Sequence, residues 1–71
     1  MDWTGCEWVE RVPERMGGVP VVVGSRVQAD SVTENFDGGV SIEEIAEMFG
    51  LEQNDVRAVL AFAGRLKEVA A

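Results

Sequence analysis

The side chains able to do chemistry in this sequence are almost all carboxylates. Thirteen aspartates and glutamates stand against six lysines and arginines, there is no histidine, and Cys6 is the only cysteine. A serine or cysteine nucleophile would find no imidazole to take its proton, so near neutral pH only carboxylates remain for proton transfer. A structural zinc site needs thiolates or imidazoles in a number the chain does not hold, and a disulfide needs a second thiol. Asp37, Glu43, Glu44 and Glu47 can be drawn as a divalent-cation cluster. Hard cations need converging oxygens, however, and glutamates strung along a helix usually form a solvated face. Gly18 and Gly24 lack the spacing of a phosphate loop, and no Gly-Lys-Ser/Thr follows them. The expectation is a non-enzymatic protein with no metal, no cofactor and no evident small-molecule substrate.

Recognition is the other chemistry these residues allow. Gln53 and Asn54 can hydrogen-bond adenine, and Arg57 can pair with guanine or phosphate, provided that they stand together at the exposed start of a helix. Arg26 lies with Arg11 and Arg15 in the one non-acidic stretch of any length. Val9 to Val27 carries +1, whereas Ser41 to Arg57 carries −4. Plainer roles stay open for each residue. Gln53 and Asn54 can be ordinary helix-start residues, Arg57 can pair with a nearby carboxylate, and Arg26 can tie the N-terminal arm to a helix C-terminus or to Asp30. The net charge of −7 and a pI near 4.3 repel phosphate at long range, which confines any contact with operator DNA to one local face. The same acidity suits a basic protein partner.

These side chains must be positioned by a single small domain. A chain of 71 residues hides only about 60% of the surface that its unfolded form exposes, so a homodimer is the expected source of extra stability. Cys6 to Val12 and the β-branched run Val19 to Val23 read as short strands separated by Gly17-Gly18. Pro13 and Pro20 belong at strand starts or edges, since neither can donate to a ladder. The Met1-Asp2-Trp3 start has no basic leader, and the longest aliphatic runs, Val19 to Val23 and Ala58 to Ala63, fall far short of a membrane span. A cytoplasmic location is expected, with no membrane partner.

After Ala29 the period changes to that of helices. Asp30 or Ser31 can cap a first helix that carries Val32 and Phe36 and stops at Gly38-Gly39. Ser41 followed by Glu44 is a capping box for a second helix with Ile42, Ile45, Ala46 and Phe49 on its buried stripe. Gly50 ends it. A third helix starts near Gln53 or Asn54 and buries Val56, Val59, Leu60, Ala63 and Leu66. The expected fold is mainly α: a short N-terminal β-ribbon over residues 1–29, then a three-helix, homeodomain-like helix-turn-helix over 30–71, with the helix pair at about 42–66. Small Ala46, the Gly50 turn and apolar Ile45, Phe49, Leu51, Val56 and Val59 are the residues such a pair needs, although any tight helical hairpin uses a similar set.

Three ordered blocks carry a resemblance. Gly17-Gly18-Val19-Pro20-Val21-Val22-Val23-Gly24-Ser25-Arg26-Val27, then Gly39-Val40-Ser41-Ile42-Glu43-Glu44-Ile45, then Asp55-Val56-Arg57-Ala58-Val59-Leu60-Ala61-Phe62-Ala63 resemble the small prokaryotic domain-of-unknown-function family "four-three-three" over about residues 9 to 66. The resemblance implies an antitoxin-like protein of the VapB type with a homeodomain-like helix-turn-helix, binding operator DNA and neutralising a PIN-like toxin protein. Ser25 keeps the hydroxyl of the family's usual threonine. Gln28 stands for a usual proline, Phe62 for a usual tyrosine, Glu52 for a usual serine or threonine helix cap, and Val23 for a usual basic residue. The tail that commonly wraps a toxin is short, ending soon after Leu66.

The expected DNA contacts are therefore Arg26, Gln53, Asn54 and Arg57. The expected dimer interface is Val21, Val22 and Val23 of the ribbon with Phe62 and Val69, which lie with Ala58 off the core stripe of the third helix. Whether the ribbon pairs within one chain or between two stays open, as does the alternative that the domain is an acidic protein-interaction module keeping the fold without binding DNA.

Overall fold

A computed structural model describes residues 2–11 and 16–66. Two short strands, β1 (Val9–Glu10) and β2 (Val21–Val22), precede three helices, α1 (Ala29–Asp37), α2 (Ile42–Phe49) and α3 (Gln53–Phe62). The domain is mainly α behind a small ribbon, as the sequence predicts. The ribbon closes within one chain: β1 runs antiparallel to β2, with Val9 opposite Val22 and Glu10 opposite Val21.

Both strands are shorter than the hydropathy pattern predicts. Ahead of β1 the chain winds through turns instead of extending, with the Cys6 amide donating to the Trp3 carbonyl at 3.1 Å and the Val9 amide to that of Cys6 at 3.3 Å. Val12, Pro13 and Arg15 lie outside the described residues. At β2, Pro20 offers no amide to a ladder, and the chain turns back directly after Val22. Ser25 makes that turn: its hydroxyl donates to the Val22 carbonyl at 2.8 Å and accepts from the Val27 amide at 3.0 Å. The returning strand bonds Val22 again through the Val27 carbonyl and forms a bridge between Val21 and Gln28. The hydroxyl that the family resemblance keeps at this position thus has a mechanical role.

The same return sets the start of α1, which differs from the expected cap. Gln28, in extended conformation and with no side-chain cap, precedes the helix, and the Ala29 amide donates to the Pro20 carbonyl at 3.0 Å. Asp30 and Ser31 are already inside the first turn, so the ribbon rather than a side-chain cap decides where the helix begins.

The second helix follows the local rules. Ser41 is its cap, and its hydroxyl accepts from the Glu44 amide at 3.1 Å. The Glu44 carboxylate accepts the hydroxyl proton at 3.2 Å instead of reaching back to the Ser41 amide, so the box is half closed. Gly50 adopts the left-handed conformation (φ 67°, ψ 31°) that ends α2, and the Leu51 amide returns to the Ala46 carbonyl at 2.9 Å. Glu52 then precedes α3 with no side-chain cap.

Ile45, Leu60, Val22, Val32, Val56 and Val59 are the largest fully buried side chains, with Phe36, Ile42, Phe49, Leu51 and Leu66 packed around them. Each predicted helical stripe supplies members of this one core. Trp3, which has no periodic signal, joins it at 4% exposure: its ring stacks on Phe62 with centroids 5.8 Å apart, and its Nε1–H donates to Asp30 Oδ1 at 2.9 Å.

Candidate nucleic-acid and partner interface

The geometry of the candidate face follows from the Gly50 turn, after which α3 runs with Val56, Val59 and Leu60 inward. Helical spacing then places Asn54 and Arg57 on the flank of that buried stripe, and Gln53, in line with Val56 and Leu60, stands clear of the core as the first residue of the helix; all three are exposed. Among the described residues none of their side chains makes a hydrogen bond or an ion pair within the chain, so Arg57 does not take the carboxylate partner there that was the plain alternative for it. Arg26 is exposed at the tip of the Ser25 turn and is tied neither to a helix end nor to Asp30 among the described residues. Glu43, Glu44, Glu47 and Glu52 are exposed as well. Glu43 and Glu44 sit in the first turn of α2, where the helix dipole favours negative charge. Arg57 therefore stands on a helix that follows an acidic one.

The residues expected at a dimer interface divide sharply. Val21 and Val22 are 2% and 1% exposed, consumed by the core of their own chain, whereas Val23 next to them is 48% exposed. Val22 packs into the core cluster, Val21 is covered on the opposite face of the strand, and the tight return after Val22 leaves Val23 at the tip. Phe62 is 39% exposed, one face on Trp3 and the other open. Val69 lies outside the described residues.

Sequence patterns missed two features of this surface. The first is a groove of about 370 Å3 between the N-terminal turn and the second half of α3, with Trp8 and Phe62 at its sides and half-buried Ala58 and Ala61 between. Trp8 is 42% exposed and lies across the ribbon from Val23, whose amide donates to the Trp8 carbonyl at 2.9 Å. Two tryptophans among the first eight residues of so small a domain were the available signal. The second feature is the pair of Arg65 and Asp37, joined at 3.1 and 2.9 Å through Nε and Nη2. It spans 28 residues and has no local signature. Hydrogen bonding to Arg65 holds the Asp37 carboxyl below its ordinary value of 3.8 and pushes the guanidinium up. Asp37 ends α1, where a helix dipole disfavours an anion, and Arg65 offsets that while its Nη1 donates to the Ala63 carbonyl at 2.9 Å.

Among the described residues no three acidic or thiol side chains converge on a metal position, and no helix is long and apolar enough to cross a membrane. Asp37 is engaged by Arg65 and Glu44 by Ser41, on separate elements.

No curated protein and no solved structure matches the chain. The sequence model of a family described as protein of unknown function (DUF433) matches residues 9–63, a span holding both strands, all three helices and Gln53, Asn54 and Arg57. The three sequence blocks and that match agree, and the chain belongs to the DUF433 family.

Proposed function

We propose that this protein is an antitoxin-like helix-turn-helix autorepressor. It binds operator DNA through the start of α3, works as a dimer and neutralises a PIN-like toxin. The observation that carries the DNA half is the set of exposed Gln53, Asn54 and Arg57 at the start of the second helix of the pair, with no partner within the chain among the described residues. Amides and a guanidinium in that position suit base edges in a major groove, and Arg26 adds a phosphate contact from the ribbon tip. The toxin partner is carried over from the family resemblance.

Salt dependence tests it. Two arginines per chain, or four per dimer, give a slope of about −3.6 in log affinity against log salt, hence roughly a hundredfold loss between 50 and 200 mM. Arg57→Ala halves that slope. Promoter DNA from upstream of the coding sequence that fails to bind at low salt removes the DNA role.

A second reading, the acidic interaction module without DNA binding, is favoured by the exposed aromatic groove at Trp8 and Phe62 on a chain of net charge −7.

A further inference from the structure

The groove beside α3 has a more specific use. We propose that it docks a basic amphipathic helix of a partner protein, with apolar side chains seated between Trp8 and Phe62 and cationic ones turned to Glu7. This rests on the acidic-module reading and names the surface and the partner chemistry.

One wall is held before any partner arrives: Phe62 is stacked on the buried Trp3 ring, and an exposed ring so held loses little freedom on binding, which is what an interface anchor needs. At the other wall the backbone of Trp8 is bonded to Val23 across the ribbon. The floor is made of Ala58 and Ala61, about one helical turn apart, and small side chains there let a second helix approach α3 closely. Val23, at 48% exposure, extends the apolar surface past Trp8.

Charge selects the occupant. Among the described residues that line the groove, Glu7 carries the one charged side chain, and the chain as a whole carries −7. A second copy would bring an equal negative charge to the same place, whereas a helix rich in lysine or arginine meets a complementary field.

Two labelled model helices of about five turns provide the probe, one of leucine and lysine and one of leucine and glutamate, titrated into the full chain by fluorescence anisotropy. The lysine helix should bind at least about tenfold more tightly than the glutamate helix, and Trp8→Ala or Ala61→Lys should each weaken it at least about tenfold. Both substitutions fall at exposed or half-buried positions, and each reports independently should the other fail to fold. Lysine-helix binding that neither variant weakens puts the peptide elsewhere and overturns the groove while sparing the acidic-module reading. No binding, or equal binding of both helices, overturns both. A dimer abolished by Trp8→Ala assigns the groove to a second copy and also overturns the proposal.

Discussion

Replacing Trp3 should cost more stability than any local sequence pattern suggests. Trp3→Ala removes a ring that is 4% exposed, its stacking on Phe62 and its 2.9 Å hydrogen bond to Asp30. Truncating a buried aromatic to alanine costs about 3–5 kcal/mol, and that range already contains the stacking and most of the hydrogen bond, so the terms are not added again. Asp30 is half-buried and regains water, which favours the lower part of the range, about 3 kcal/mol. A domain of this size has roughly 4–10 kcal/mol in total. In urea, with a slope of about 1 kcal/mol per molar, the midpoint should fall by about 3 M. Trp3→Phe keeps a ring against Phe62 and loses the N–H, for about 1 kcal/mol and a fall of about 1 M. Far-UV circular dichroism follows both transitions. A midpoint for Trp3→Ala within about 0.5 M of wild type would refute the placing of this ring in the core, and equal losses for the two variants would refute the separate weight given to the ring.

Other outcomes follow from single features. Gly50→Ala has open space for its methyl group, so its cost comes from the left-handed backbone alone, about 1–2 kcal/mol, read as a lower thermal midpoint. Ser41→Ala should lose about 1 kcal/mol with the α2 cap, and Ser41→Asp should recover most of it. Arg65 lowers the Asp37 pKa in the folded state, so the pair's contribution is complete above the ordinary value of 3.8 and is lost as pH falls through the lower folded value. Urea midpoints of wild type and Asp37→Asn should therefore converge as pH drops below 3.8, and a gap that widens there would contradict the ion pair.

The helical half of the molecule was legible because its instructions are local. Ser41 with Glu44, left-handed Gly50 and the apolar positions of α2 and α3 each act within a turn or two of backbone, and they set α2, the turn and the start of α3 close to their observed limits. The stripe predicted to run on to Leu66 stops short, because α3 ends at Phe62 and Gly64 turns the chain in the left-handed conformation. The N-terminal half depends on partners far along the chain. Trp3 is placed by Asp30 and Phe62, the start of α1 by the Pro20 carbonyl, and the end of β2 by the Ser25 hydroxyl. Period-2 hydropathy cannot tell a turn wound against a helix from a strand, which is why Cys6 to Trp8 read as extended. The candidate site divides the same way. Asn54 and Arg57 could be assigned to one flank of α3 from helical spacing and Gln53 to its exposed start, whereas the groove needed the tertiary meeting of Trp8 with α3. Val21 and Val22 show the limit of composition: three adjacent valines look equivalent, yet two are buried and the tight return leaves the third exposed.

The most direct measurement for the proposed function is an amide chemical-shift titration of the full chain with a promoter duplex from upstream of the coding sequence, at low salt. Perturbations centred on Gln53, Asn54 and Arg57, with a second group at Arg26, are the predicted result. Shifts confined to Trp8, Ala61 and Phe62, or no shifts at all, would contradict DNA reading by α3.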